Sequence, residues 1–292
     1  MSDLTIGLVI MTLLCVVLFR LGLRAGRFCS QRGTHFLAVT TVVLVLAYNA
    51  TLWESPLLAK LLPFSNLIVV GNWFPLGAAL LSGVIFELLP RPRRGLMLAM
   101  LAGSSAICLI HPLMGTAPQC RDEVARGSLV TQTTTATCSA ACAASLLRTH
   151  GIWATEQEMA DLCLTRAGTR WQGLYRGLKT KTRNTGWDVE VLTCEPDQLQ
   201  RISGPLILTV GLDASDKSAA AMRAEFGWDP SVRHSVIQLS TDSRGNATIF
   251  DPSPAYGKEH WTAKQLKQLY RGHAMRLVHR SARAPQFVGL FH

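Results

Sequence analysis

Charge is scarce in this chain, and scarcest in the first 117 residues. Asp, Glu, Lys and Arg make up 16% of the 292 residues, against about a quarter in an ordinary soluble domain. Before Pro118 the acidic residues are Asp3, Glu54 and Glu87, and the basic ones are Arg20, Arg24, Arg27, Arg32, Lys60, Arg91, Arg93 and Arg94. None falls inside the runs Leu4–Phe19, Gly33–Trp53, Leu61–Phe86 and Gly95–Cys120. A charge held mid-span marks an ion or proton pathway, so its absence argues against a channel or pump. Other absences exclude more. No Cys-x-x-Cys pair has a His partner, so no metal site is expected. The basic run Lys179, Lys181, Arg183 has no interleaved aromatics; it reads as a solvated helix end, not a nucleic-acid surface. The first apolar run has no basic stretch before it and ends in arginines, which argues against a cleaved signal peptide and favours a retained span.

What is present divides the chain once, near residues 115–125. Crossing a bilayer takes about 20 mostly apolar residues. The expected spans are about 4–23, 34–53, 64–86 and 95–115, within a membrane region of residues 1–117 that acts as an anchor in contact with membrane lipid. Arg20 can snorkel from the first span. Tyr48, Trp53 and Trp73 are candidate interface anchors, with packing an alternative for Trp73. Gly77, Ala78, Ala79 and Gly83 would let helices approach closely. Basic residues concentrate after spans one and three, with only Lys60 after span two. The positive-inside bias then puts those arginines in the cytoplasm and the C-terminal half outside. The expectation is an integral protein of a bacterial inner or plasma membrane, its second domain extracytoplasmic. A miscount of one span inverts this.

Residues 118–292 are charged throughout, and half of the net +10 lies there. Five of the eight cysteines do too: Cys120, Cys138, Cys142, Cys163 and Cys194. An odd number outside the cytoplasm suggests one free, reactive thiol. The other four, with Cys138 as that thiol, allow up to two disulfides in three pairings.

The segment from Gln132 to Gly151 starts polar and turns helical. Thr137 is the expected N-cap and Gly151 the C-cap. Cys138 then opens the helix, where the positive end lowers a thiol pKa. Cys142, one turn further in, has no free backbone N–H groups around it; both being core cysteines is the plain alternative. A nucleophile needs a base. His150 precedes the helix-ending glycine, and His260 and His273 flank a polar helix, Thr262–Tyr270. His234 instead opens the alternating run His234–Leu239. A turn at Ser243–Asn246 follows, then Ala247–Asp251 and Pro252. Read as a hairpin, this brings Asp251 near His234, where a carboxylate can orient an imidazole; Asp251 as a mere strand end is the alternative.

The ordered set Gln132, Cys138, Cys142, His234 and Asp251-Pro252 resembles the bacteriocin-processing cysteine peptidase family, papain-like domains that cut leader peptides after a double glycine. Gly168-Thr169 before the helix Leu174–Lys179, the strand Gly204–Leu208 and the closing Tyr270–Val278 add to the likeness, which covers about residues 128–279. It implies an α+β papain-like peptidase domain after the four-helix transmembrane region. It implies Cys138 as nucleophile, His234 as base, Asp251 as its orienting partner and Gln132 as oxyanion donor, with no cofactor. The implied activity is that of a cysteine endopeptidase on peptide or protein substrates, with glycine-glycine leaders the class in view. Two departures stand out. Ser139 replaces the family's usual glycine after the nucleophile, where a side chain would narrow the approach to the thiol. No nucleotide-binding module accompanies the domain, so an export transporter would be a separate partner. Rival readings are a catalytically inactive peptide-binding module of the same fold, favoured by Ser139, an accessory subunit of a membrane export system, and a related thiol acyltransferase or amidase. The stretch Asp213–Pro230 is longer than a hairpin needs. Its Ala219–Phe226 portion reads as a short helix, either a lid over the cleft or a structural insertion.

Overall fold

The long uncharged runs become helices. In a computed structural model of the chain, which describes residues 2–282 apart from 87, 200, 203, 213–218 and 227–231, two compact units separate at Met114 and Gly115.

In the first unit, Ser2 caps α1 (Asp3–Phe28) by accepting from Thr5 N at 3.3 Å. Helix α2 is Gln31–Thr51, followed by α3 (Leu57–Leu61), α4 (Leu67–Val70), α5 (Phe74–Ile85) and α6 (Arg91–Ile110). Among the described residues, four helices are long and apolar enough to cross a membrane, counting α4 and α5 as one, Leu67–Ile85. The helices differ from their expected bounds. Helix α1 continues past residue 23 because Leu21–Phe28 contains no proline, and its Leu, Ala and Arg residues are good helix formers that outweigh Gly22 and Gly26. Arg20, Arg24 and Arg27 therefore sit on a helix end and not in a loop. Helix α6 starts at Arg91, with a proline in its first turn, where a missing N–H costs nothing.

The span 64–86 is broken at 71–73, for a reason written in Pro75. Proline cannot donate to the carbonyl four residues back, which here is Gly71. The Tyr48 hydroxyl donates to that carbonyl instead, and Asn72 Nδ2 donates to Cys108 O at 2.9 Å. Trp73 stacks on Tyr48 with centroids 4.7 Å apart. Glycines let α1 and α5 touch backbone to backbone. A Cβ on Gly22 would strike the Leu80 carbonyl, and one on Gly83 the Phe19 carbonyl. The unit is apolar outside and partly polar inside: Leu13, Phe36, Leu44 and Leu96 are exposed, while Thr34, Thr41 and Ser82 are buried.

The second unit reverses that arrangement. Its elements are β1 (Val124–Arg126), β2 (Leu129–Val130), α7 (Cys138–Thr149), α8 (Glu156–Leu162), α9 (Trp171–Lys181), β3 (Trp187–Thr193), α10 (Pro196–Leu199), β4 (Leu206–Val210), α11 (Ala219–Phe226), β5 (His234–Thr241), β6 (Ala247–Asp251), β7 (Gly257–Trp261), α12 (Ala263–Leu269) and β8 (Tyr270–His279). Six strands form one sheet in the order β3-β8-β4-β5-β6-β7, every described pairing antiparallel. Helix α7 packs on β4, β5 and β8, backed by α8 and α9. A buried cluster lines the sheet through Leu208, Val210, Val236, Ile249 and Trp261 and includes Leu199 of α10 and Leu266 and Leu269 of α12. Helix α12 starts at a complete capping box between Thr262 and Gln265. This α+β arrangement of one antiparallel sheet with packed helices is the one the resemblance implies.

Lys179 pairs with Asp188 at 2.6 Å and Lys181 with Glu158 at 2.8 Å. Two members of the basic run are thus paired locally. Of Asp213–Pro230, α11 is described and tied to α12 by Gln265 Nε2 donating to Glu225 at 2.9 Å. Residues 213–218 and 227–231, and with them the lid reading, lie outside the described residues.

Candidate active site

Cys138 is the first residue of α7. Ala140, Ala141, Ala143 and Ala144 are fully buried, so the helix can lie close against the sheet. Thr137 does occupy the N-cap, but its side chain makes no capping bond. Its hydroxyl turns back to donate to Thr134 O at 3.1 Å. The start of the helix is left without a side-chain cap, and its macrodipole favours an anion there.

His234 is the first residue of β5, paired with Val210 of β4. Ile237 pairs with Phe250 of β6. Continuing that register puts Asp251 on the diagonal from His234, on one face of the sheet. His234 Nε2 donates to Asp251 Oδ1 at 2.9 Å. The same oxygen accepts Ser253 N at 2.7 Å, and Asp251 is 1% exposed. Nδ1 remains for the third partner, and the His234 ring is hydrogen-bonded to the Cys138 thiol. Sequence neighbours do not explain this meeting; it needs α7 packed across β5.

The electrostatics follow from the contacts. Burial works against a charged imidazole, but the Asp251 carboxylate and the Cys138 sulfur outweigh it and raise His234 to about 10. Burial likewise opposes a thiolate at Cys138. The hydrogen bond and charge of His234, the Ser235 N–H and the Ser139 hydroxyl prevail and hold the thiol below its ordinary range. The site favours a thiolate–imidazolium pair. Cys142, one turn away, behaves oppositely: burial, Cys138 and Asp251 push its thiol well above the ordinary range, and it donates to Ser235 O at 3.3 Å.

Gln132 stands on the loop before α7. Its backbone N–H donates to Pro252 O at 2.7 Å, tying the loop to the residue after Asp251. Its amide Nε2 donates to Thr134 O at 2.9 Å. Neither tie was foreseeable from the chain. Nor was the buried Glu156 of α8, which accepts from Thr133 N and Thr133 Oγ1, both at 2.8 Å. An acidic residue in a helix's first turn was the sole clue, and it pointed to the helix dipole instead. Ser139 departs from expectation. Its side chain does not project into the cleft but is buried against Ser235, Oγ to Oγ 2.8 Å.

All eight cysteines are free thiols, so none of the conceivable disulfides forms. Cys120 donates to Pro118 O at 3.5 Å, Cys163 to Leu174 O at 4.0 Å, and Cys194 lies 3.6 Å from the Tyr270 hydroxyl. Among the described residues no cluster of His, Cys, Asp and Glu could hold a metal ion.

With this geometry in hand, residues 126–282, more than half of the chain, match the model of the Peptidase C39 family. No curated protein matches. Solved structures do. The peptidase domain of Streptococcus ComA, a bi-functional ABC transporter involved in a quorum sensing pathway, is 17% identical over 53% of this chain and 100% of its own, with a TM-score of 0.41. The peptidase domain of Streptococcus mutans ComA is 17% identical over 52% and 98%, with a TM-score of 0.36. A double glycine motif protease from an AMS/PCAT transporter, in complex with the leader peptide, is 19% identical over 53% and 95%, with a TM-score of 0.37.

Proposed function

Since the chain belongs to the Peptidase C39 family, we propose that it is a membrane-anchored cysteine endopeptidase with Cys138 as nucleophile, His234 as acid and base, and Asp251 as the orienting carboxylate. The observation that carries this reading is a single histidine bound on one side to a buried aspartate and on the other to a thiol at an uncapped helix start.

The chemistry runs in two halves. The Cys138 thiolate attacks the scissile carbonyl carbon, and the carbonyl oxygen becomes an oxyanion. Gln132 and the Cys138 N–H stabilise it; the Thr134 carbonyl fixes one amide hydrogen of Gln132 and leaves the other to donate. His234 Nδ1–H protonates the departing amine as the C–N bond breaks, giving a thioester and a neutral imidazole. Water then attacks the thioester, His234 accepts its proton, and the C–S bond breaks to release the acid and restore the ion pair. Asp251 keeps the proton on Nε2 and stabilises the imidazolium.

The substrate class is peptides with a glycine-glycine leader, as the motif resemblance implies, with a separate export transporter as partner. Residues 1–117 hold the enzyme in a bacterial plasma membrane. The domain of residues 118–292 faces the extracytoplasmic side, a reading supported by Arg20, Arg24, Arg27 and Arg32 near one connection and Arg91, Arg93 and Arg94 near another, against Lys60 alone. A C-terminal alkaline phosphatase fusion should be active and a green fluorescent protein fusion dark; the reverse puts the domain in the cytoplasm.

The test of function is cleavage. Detergent-solubilised full-length protein is offered peptides with and without a Gly-Gly pair, and products are identified by mass spectrometry. Parent and Cys142→Ala should cut after Gly-Gly, and Cys138→Ala should not. Undiminished cleavage by Cys138→Ala, with loss in Cys142→Ala, identifies the wrong sulfur.

A further inference from the structure

Residues 139 and 235 each follow a reacting residue, and the two are bonded to one another. Ser139 follows Cys138, and Ser235 follows His234. Both serines are 6% exposed, and their hydroxyl oxygens are 2.8 Å apart. Strand alternation explains the arrangement. If the His234 ring shares a face with Asp251, the next side chain points to the other face, toward α7. Helix geometry completes it. Ser139 and Cys142 are three residues apart and so lie on one side of α7, and Cys142 Sγ donates to the Ser235 carbonyl at 3.3 Å. One residue of β5 thus holds two successive turns of α7.

We propose that the Ser139–Ser235 hydroxyl pair is a positioning clamp that sets the separation of Cys138 from His234 and turns the Ser139 hydroxyl toward the thiolate. The proposal rests on the reading of Cys138 and His234 as nucleophile and base. Hydroxyls are suited to the task because each both donates and accepts. Ser235 Oγ–H donates to Ser139 Oγ, and Ser139 Oγ–H is then free to donate to the sulfur, which agrees with the downward pull of Ser139 and of the Ser235 N–H on the Cys138 thiol. The chain is cooperative: each bond polarises the next. Where the family's usual glycine stands after the nucleophile, no side chain can make this link; here one serine on α7 and one on β5 supply it. The titratable groups facing the thiol are His234, Asp251 through His234, and Cys142. None changes in the variants below.

The test uses full-length protein and four forms: parent, Ser139→Ala, Ser235→Ala and the double variant. Two quantities are read: kcat and KM for peptide cleavage, and the pH midpoint of Cys138 alkylation followed by peptide mass spectrometry. A hydrogen bond to a charged group corresponds to roughly tenfold or more in rate. Each single variant should lose about that in kcat with KM unchanged, and should raise the alkylation midpoint. The double variant should lose no more than either single one, because the two act as a unit. Ser139→Thr, which keeps the hydroxyl, should recover most of the rate. Additive losses, or a fall in thermal stability with kcat and midpoint unmoved, overturn the clamp and leave the catalytic pair standing. A parent midpoint in the ordinary thiol range instead overturns the catalytic pair, and the clamp with it.

Discussion

The two units of this chain use polar groups in opposite ways. In the first, polar side chains serve the fold: Tyr48 and Asn72 satisfy carbonyls at a helix break, and glycines bring α1 and α5 into backbone contact. Apolar side chains face outward, where lipid would solvate them, so burying them yields little and close packing must hold the helices. In the second unit apolar burial holds the sheet between helices, and the buried polar groups are free to gather elsewhere. Cys138, Ser139, Ser235, His234 and Asp251 form one connected chain of contacts at the junction of α7 and the sheet. Polarity inside the first unit serves the fold; inside the second, some of it does too, as at Glu156, and some meets around Cys138.

That contrast makes predictions, taken from the largest effect down. His234→Ala should lower cleavage by about 100- to 10,000-fold, the usual contribution of acid–base catalysis, while circular dichroism and melting temperature stay near the parent's. Unfolding of the variant would mean that the histidine is structural and would erase the contrast. Gln132→Ala should lower kcat by about 100- to 1,000-fold with little change in KM, as loss of one oxyanion donor does. An unchanged kcat would reduce Gln132 to a loop residue held by Thr134 and Pro252.

Gly83→Leu probes the other side of the comparison. Its side chain would meet the Phe19 carbonyl and the backbone of Leu23, and overpacking of this kind costs about 1–3 kcal/mol. Thermal stability in detergent should fall while the alkylation rate of Cys138 is unchanged. Equal damage to both would show that the units are energetically coupled.

Much of this was readable in the chain, for physical reasons that also explain the rest. Uncharged runs near 20 residues long announce helices long and apolar enough to cross a membrane, and the His234–Asp251 hairpin is local enough for alternation and a turn to predict. The break at 71–73 was legible in Pro75, which cannot bond back to Gly71, yet the length of the run concealed it. The place of Cys138 at a helix start was readable too. Ser235 and Glu156 were not, since their partners are 96 and 23 residues away, and no periodicity encodes such distances. Ser139 was noticed only as a departure, and its inward turn depends on Ser235.

The pH dependence of Cys138 alkylation by iodoacetamide tests the central claim most directly, with His234→Ala and Asp251→Asn measured beside the parent. A thiol held down by a charged imidazole reacts as thiolate at pH values where an ordinary thiol, near 9, is still protonated. The imidazolium survives until pH rises through about 10, so from the lowered Cys138 midpoint up to that pH the pair is charged and cleavage should be maximal, falling on the alkaline side as His234 loses its proton. The parent should show an alkylation midpoint well below that of an ordinary thiol. His234→Ala should return it to the ordinary range or above, because burial then acts unopposed by the imidazolium, and Asp251→Asn should move the alkaline limb of cleavage downward. A parent midpoint near 9, unaffected by His234→Ala, would contradict the thiolate–imidazolium pair and the peptidase mechanism built on it.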